Sequence, residues 1–254
     1  MAFFKKNNIP SSNTLDNVEN ISASSTEKPS QAVNLNKATV SLEKKIVSLA
    51  KTTGVNLNAH KARVFVVLDR SGSMWSLYHS GAVQDVLTRL LPLALKFDDN
   101  GELEVYIFNN NCNEMTSMNL QNYQDYVENF ILKKGYEPTG GTSYSPAIRK
   151  TVNNYNDGSS LPAFGIFITD GENSDRIGTN SAIRDSSYCK IFYQFVGIGN
   201  ERFNYLQKLD DLDGREVDNT AFVKVSDFAK LSDDELYDKL LEQYPQWLRA
   251  MNIN

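Results

Sequence analysis

Asp69, Ser71 and Ser73 stand at alternate positions in the stretch FVVLDRSGSMWS, directly after an apolar run. Alternate side chains of extended backbone point the same way, so one carboxylate and two hydroxyls converge. Gly72 between the serines lets the chain turn tightly. Two more oxygen donors lie downstream, Thr142 in EPTGGTSYSP and Asp170 at the end of GIFITD. No histidine or cysteine accompanies them. A donor set made only of hydroxyls and carboxylates suits a hard cation, Mg2+ first, with Mn2+ and Ca2+ left open. If the hydroxyls hold the ion directly and the carboxylates act mainly through water, the ion keeps much of its positive charge. It then seeks one more anionic ligand, and an acidic side chain of a partner protein is the natural candidate.

Taken singly, these residues have plainer roles. Ser73 suits a helix N-cap, and Thr142 suits a loop hydroxyl after two glycines. The five positions together are what such roles leave unexplained. Ser143 is the weaker substitute for Thr142. Glu172 and Asn173 read as the start of the next helix, and Asn109 as a turn residue in NNNCN. His60 and His79 lack a ligand partner at suitable spacing and read as solvent-exposed. DLDGREVD fails as a calcium loop, because alignment on Gly214 puts Leu209 at the first ligand position and Thr220 at the last.

The elements that position these residues follow from patterning. RVFVVLD, LEVYIFN, AFGIFITD, IFYQFVGIG and AFVKVSD are buried strands, and NEMTSMN is a short polar strand at an antiparallel edge. Between them lie helix-like segments: SGAVQDVLTRLLPLALKF with a kink at Pro92, LQNYQDYVENFILKK, SPAIRKTVNNY with Pro146 in its first turn, and ERFNYLQKL. SDDELYDKLLEQYPQWLRAM closes the chain as one helix opened by a Ser232–Glu235 capping box. This alternation predicts an α/β fold, a Rossmann-like open and mostly parallel six-stranded sheet with helices on both faces. Sites in such sheets form beyond the carboxyl ends of the strands, where strand order reverses. Asp69 and Asp170 end strands in this reading.

Upstream, residues 1–38 read as a disordered leader rich in Asn, Ser and Thr. Residues 39–60 read as a connecting helix from Leu42 with Gly54 as its stop, or a short strand at Val40 and Leu42. Residues 61–254 form the main domain. A formal net charge of -5 over 254 residues gives no cationic excess for phosphate neutralisation and argues against nucleic acid as partner. No apolar run reaches membrane-spanning length, and MAFFKKNNIP lacks the apolar core of a signal peptide. Cys112 and Cys189 form no Cys-x-x-Cys pair and read as reduced thiols. The expected location is the cytoplasm and the expected state a monomer.

LDRSGSM, with Thr142 and ITDGE, resembles the metal-ion-dependent adhesion site of von Willebrand factor type A domains, an Asp-x-Ser-x-Ser, a later loop Thr and a strand-end Asp. The resemblance covers roughly residues 61–254. It implies that Ser71, Ser73 and Thr142 touch the metal, and that Asp69 and Asp170 act directly or through water. KARVFVVLDRSGSM, the GREVDN turn and the closing LY…E…PQWL segment are similar to the type A domains of bacterial tellurium-resistance (Ter) stress operons. That resemblance implies a non-enzymatic adaptor in a cytoplasmic stress system. Related members carry an extra N-terminal β-rich domain, expected here to be absent or reduced. The competing reading is an enzyme. DRSGS and TDGENSD distantly resemble the haloacid-dehalogenase motifs, which would make Asp69 a Mg2+-dependent phosphoryl-accepting nucleophile. GENSD carries one residue too many before its second acid, and no basic residue is obviously placed for the phosphate.

Overall fold

A computed structural model describes residues 34–253. Residues 1–33, most of the segment read as a leader, lie outside the described residues. Helix α1 spans Leu35–Thr53. It begins earlier than the apolar spacing from Leu42 suggested, because Asn34 caps it by accepting the Lys37 N–H at 3.2 Å. Gly54 stops it as expected, in the left-handed region at φ 72°. The alternative of a strand at Val40 and Leu42 is thereby corrected.

Six strands follow: β1 (Arg63–Asp69), β2 (Glu104–Phe108), β3 (Cys112–Glu114), β4 (Ala163–Thr169), β5 (Ile191–Ile198) and β6 (Thr220–Val225). They form one sheet in the order β3-β2-β1-β4-β5-β6. Every pairing is parallel except β2 with β3. The α/β doubly wound architecture is therefore the one the alternation predicts. The chain winds outward from β1 to β2 on one side and from β4 to β6 on the other, so the crevice between β1 and β4 is the switch point.

Alternate residues of β1 serve opposite faces. Val64, Val66 and Leu68 join one core with Leu42, Leu90 and Leu241, while Phe65 and Val67 join the other with Tyr106, Ile148 and Ile183. The first face is covered by α1, α3 (Ala82–Phe97), α7 (Asp233–Leu241) and α8 (Tyr244–Ala250). The second is covered by α4 (Ser145–Tyr155), α5 (Arg176–Ser186) and α6 (Asn204–Asp210). Phe65 fits only because its β4 neighbour is Gly165, where a Cβ would sit 2.2 Å from the ring.

Two segments differ from the pattern. LQNYQDYVENFILKK is not a continuous amphipathic helix. It is a run of turns leading to one wide π turn at Val127–Ile131 and a 3-10 turn at Leu132–Lys134. Polar side chains capture the backbone there. Asn122 Oδ1 accepts the Asn119 N–H, Asn119 Oδ1 accepts the Gln121 N–H, and Gln84 Oε1 accepts the Val127 N–H at 2.9 Å. The helix read from SGAVQDVLTRLLPLALKF is present as α3, and a short α2 (Trp75–His79) precedes it, the two separated at Gly81, φ 84°. The closing helix divides into α7 and α8 just before Pro245, and its capping box is present.

His60 corrects a further expectation, since it is 4% exposed rather than solvated. Its Nε2 lies 2.9 Å from the Tyr244 hydroxyl, tying the linker after α1 to α8. Burial pushes its pKa down to about 4. The folded state thus resists a proton that the unfolded chain takes up near pH 6.5. Stability is full above that value, falls as pH drops, and levels off below about 4. The loss attributable to this residue is roughly 3 kcal/mol. Urea midpoints at neutral pH and near pH 4.5 should show His60→Gln losing less than the wild type between them. An equal loss would mean that His60 takes up its proton in the folded state.

Candidate functional site

The site is built at the carboxyl ends of β1 and β4. Asp69, the last residue of β1, is fully buried. Its Oδ1 accepts the Ser71 N–H at 2.7 Å and its Oδ2 the Thr169 hydroxyl at 2.5 Å. The Tyr78 hydroxyl donates to its carbonyl at 3.1 Å. Asp69 is the fixed post around which the Ser71–Ser73 turn is wound. Ser71 is buried and Ser73 exposed, and their hydroxyls lie 3.1 Å apart. The Ser73 hydroxyl then donates to Asp170 Oδ1 at 2.7 Å. Three oxygens from two strand ends thus form one contiguous row.

Thr142 reaches the row through its loop. Thr139 N–H donates to Arg70 O at 2.7 Å, Gly72 N–H to Gly140 O at 3.3 Å, and Asn109 Nδ2 to Thr139 O at 2.9 Å. Ser143 N–H donates to Asn109 O at 2.9 Å, and Ser174 N–H to Thr142 O at 2.9 Å. The loop is therefore stitched to the ends of β1, β2 and β4 together. Gly140 is required there, with φ 83° and the Asn109 amide 3.0 Å from where a Cβ would stand. Thr142 Oγ1 lies 3.6 Å from the position a Cβ at Gly171 would occupy, so its hydroxyl borders the Asp170–Gly171 turn.

The structure thus places all five sequence-derived residues on one crest of the sheet. Ser71, Ser73 and Asp170 are directly bonded in series, Asp69 supports Ser71 from beneath, and Thr142, from a third loop, lies against the Asp170–Gly171 turn. The row suits a small hard cation. Octahedral Mg2+ with oxygens at 2.0–2.1 Å spaces neighbouring ligands about 2.9 Å apart. The observed 3.1 and 2.7 Å separations lie near that value, and are also those of ordinary O–H···O hydrogen bonds. Among the described residues no group of three His, Cys, Asp or Glu could hold a metal, so the hydroxyls are indispensable to any such site.

The electrostatics agree with the donor set. Burial pushes the Asp69 carboxyl up to about 6, opposed by the Thr169 and Ser71 hydrogen bonds and reinforced by Asp170. Asp170 is also raised, first by burial and then by Glu201, with the Ser73 hydrogen bond opposing. Two adjacent carboxylates with no cationic side chain bonded to either are a poor arrangement for the protein alone and a favourable one for a cation.

The neighbouring residues have structural duties. Asn109 turns the chain after β2 by accepting the Asn111 N–H at 3.1 Å, besides holding the Thr142 loop. Asn173 is buried, accepts the Tyr144 and Asp175 N–H groups and donates to Thr179 at 2.8 Å. Glu172 is ion-paired with Arg176 at 3.0 Å. The Ser143 hydroxyl turns to Ser174 at 3.1 Å. Sequence reasoning missed Thr169, which bonds the Asp69 carboxylate, and Asp175, whose two oxygens accept the Tyr144 and Ser145 N–H groups at the start of α4. The signal for Thr169 was present, a hydroxyl directly before the strand-end acid. Asp175 caps a helix other than its own, which local spacing does not reveal.

Comparison with known proteins agrees with this architecture. The chain is 40% identical over 215 residues to the uncharacterized protein YcbR of Bacillus subtilis, covering 84% of this chain and 87% of that one. A von Willebrand factor type A structure from Catenulispora acidiphila superposes with a TM-score of 0.53 at 16% identity, over 75% of this chain and 43% of the other. BatB from Bacteroides thetaiotaomicron gives a TM-score of 0.50 at 17% identity, over 75% of this chain and 98% of the other. At such identities these two structures speak to the fold alone. The profile of the vWA domain found at the TerF C terminus matches residues 61–254. The chain belongs to the TerF-like family of von Willebrand factor type A domains.

Proposed function

We propose that the protein is a metal-dependent protein-binding module that grips an acidic side chain of a partner through a divalent cation. The observation that carries this reading is the row Ser71–Ser73–Asp170, spaced at 3.1 and 2.7 Å, with Thr142 against the adjoining Asp170–Gly171 turn. Type A domains commonly serve as protein-interaction modules, which supports the same reading. Ser71, Ser73, Thr142 and Asp170 would hold the ion, and Asp69 would orient Ser71 and balance charge from below. The bound cation supplies a positive charge that neutral hydroxyls leave largely uncancelled, so a carboxylate from another chain completes the site. Mg2+ is the preferred ion, with Mn2+ or Ca2+ as substitutes.

The setting we propose is an adaptor in a cytoplasmic stress system of the tellurium-resistance type, working without chemistry of its own. No helix among the described residues is long and apolar enough to cross a membrane, which is compatible with that setting. The phosphoryl-transfer alternative is not favoured. Asp69 as a nucleophile would need an accessible oxygen, and its two oxygens are buried beneath the Ser71 amide and the Thr169 hydroxyl.

Calorimetric titration of the metal-free protein with Mg2+ and Mn2+ tests the reading. Saturable binding at one site is expected, weakened about 10–100-fold or more in Thr142→Ala and in Asp69→Ala. A wild-type chain that binds neither ion would remove the proposal.

A further inference from the structure

Asp175 stands directly before α5, where an acid ordinarily satisfies the free amides of the helix it opens. It does not cap α5. Its Oδ1 accepts the Tyr144 N–H at 2.9 Å and its Oδ2 the Ser145 N–H at 3.1 Å, both at the start of α4. The Thr179 hydroxyl donates to Oδ1 at 2.9 Å and fixes the carboxylate from within α5. The cap is thus given to the helix that follows Thr142, not to the one that follows Asp170. A local rule broken in this way points to a duty elsewhere in the fold.

The rest of the segment after Asp170 reaches across in the same direction. The Ser174 N–H and hydroxyl both donate to Thr142 O, at 2.9 and 2.8 Å. Asn173 Oδ1 accepts the Tyr144 N–H at 3.3 Å. The Tyr144 hydroxyl returns the connection, donating to Gly171 O at 2.7 Å from a fully buried ring. Gly178 permits the close approach of the two helix starts, since a Cβ there would stand 3.1 Å from Ser145 Oγ. Residues 142–145 and 171–175 are therefore laced together directly beside Thr142 and Asp170. The same loop meets the serine turn through backbone bonds at Thr139 and Gly140, further from Thr142. Thr142 and Asp170 ride on one hydrogen-bonded unit, with Asp175 and Tyr144 as its two struts.

Resting on the metal-dependent reading above, we infer that Asp175 and Tyr144 are positioning residues that fix Thr142 relative to Asp170, and that this fixed spacing selects Mg2+ over Ca2+. Neither residue touches the ion. Mg2+ demands near-ideal octahedral geometry at about 2.0–2.1 Å, whereas Ca2+ accepts flexible geometry at about 2.3–2.6 Å. A Thr142 that cannot retreat from Asp170 favours the smaller ion. A Thr142 released from its struts loses that preference and still serves Ca2+.

Calorimetric titration of the full chain with Mg2+ and, separately, with Ca2+ tests the inference. Asp175→Asn keeps the volume but turns an amino group toward one of the two N–H donors. Its Mg2+ affinity should fall about tenfold, the lower end of what loss of support behind a ligand costs. Its Ca2+ affinity should change little, so the ratio of the two affinities falls by a similar factor. Tyr144→Phe removes the single hydroxyl on Gly171 O, keeps the ring, and should lower the ratio in the same direction. It carries the test if Asp175→Asn folds poorly. A merely structural role would lower the thermal midpoint in chelator and leave the ratio where it was. A wild type that binds Ca2+ as tightly as Mg2+, equal losses for both ions, or an unchanged Mg2+ affinity in both variants would overturn this inference and leave the metal reading intact. A wild type that binds neither ion would remove both.

Discussion

Asp170→Asn should abolish measurable Mg2+ binding while making the metal-free protein more stable. The asparagine oxygen still accepts the Ser73 hydroxyl, so the 2.7 Å bond that ties β4 to the turn after β1 is kept. What disappears is a negative charge partly withdrawn from water, near Asp69 and Glu201 and without a bonded cation. Burial raises the pKa of both site carboxyls, so each is less comfortable ionised in the folded than in the unfolded chain. Their unfavourable contribution is absent below the ordinary carboxylate range and grows as pH rises through the folded-state values, near 6 for Asp69. At neutral pH the substitution should therefore gain up to about 1 kcal/mol in chelator, the scale on which functional sites trade stability. With Mg2+ at a hundredfold excess over Kd, the wild type gains about 2.7 kcal/mol that the variant cannot. The order of thermal midpoints should reverse between chelator and millimolar Mg2+. Midpoints that keep one order in both conditions would show that the row does not hold a cation.

Arg89→Met should destabilise the fold by about 3–5 kcal/mol, the cost of breaking a buried, fully bonded ion pair. Arg89 lies in α3 and is 6% exposed. Its Nε donates to Asp233 Oδ1 at 2.7 Å, and its two terminal nitrogens donate to Phe228 O at 2.9 Å and Leu231 O at 2.7 Å. The Tyr237 hydroxyl donates back to the Arg89 carbonyl at 2.7 Å. One guanidinium thus anchors the turn after β6 and the start of α7 to the helix that follows the oxygen row. Methionine keeps the length of the stem but leaves Asp233 and two carbonyls without their donor. Asp233→Asn loses only the ionic part of one bond and should cost less, about 1–3 kcal/mol. Urea unfolding of both variants measures the difference. A loss below 1 kcal/mol for Arg89→Met would mean that α7 is held by its apolar face alone, and equal large losses that the Asp233 charge, rather than the two carbonyl bonds, carries the anchor.

The candidate residues stand out in the sequence because their pattern is local. Asp69, Ser71 and Ser73 announce themselves by alternate spacing after an apolar run, and Asp170 by closing another. The α/β order was legible for a related reason, since strands buried on both faces read as continuous apolar runs such as FVVL and FGIFI. The capping box at Ser232 and the stop at Gly54 also depend only on residues within a few positions.

Tertiary structure decided what depends on partners far along the chain. His60 carries no local mark of burial; it is buried because Tyr244, 184 residues away, offers a hydroxyl at 2.9 Å. LQNYQDYVENFILKK has helical apolar spacing, yet Gln84 and the Asn119–Asn122 turn capture its amides before a helix can form. Thr142 reads as an ordinary loop hydroxyl until the loop is stitched to three strand ends. Sequence by itself determined the strands, most of the helices and which oxygen-bearing side chains stand at strand ends, because these are set by short-range periodicity and side-chain chemistry. Which donors meet, what supports them and what surrounds them were decided by strand order, which no local pattern encodes.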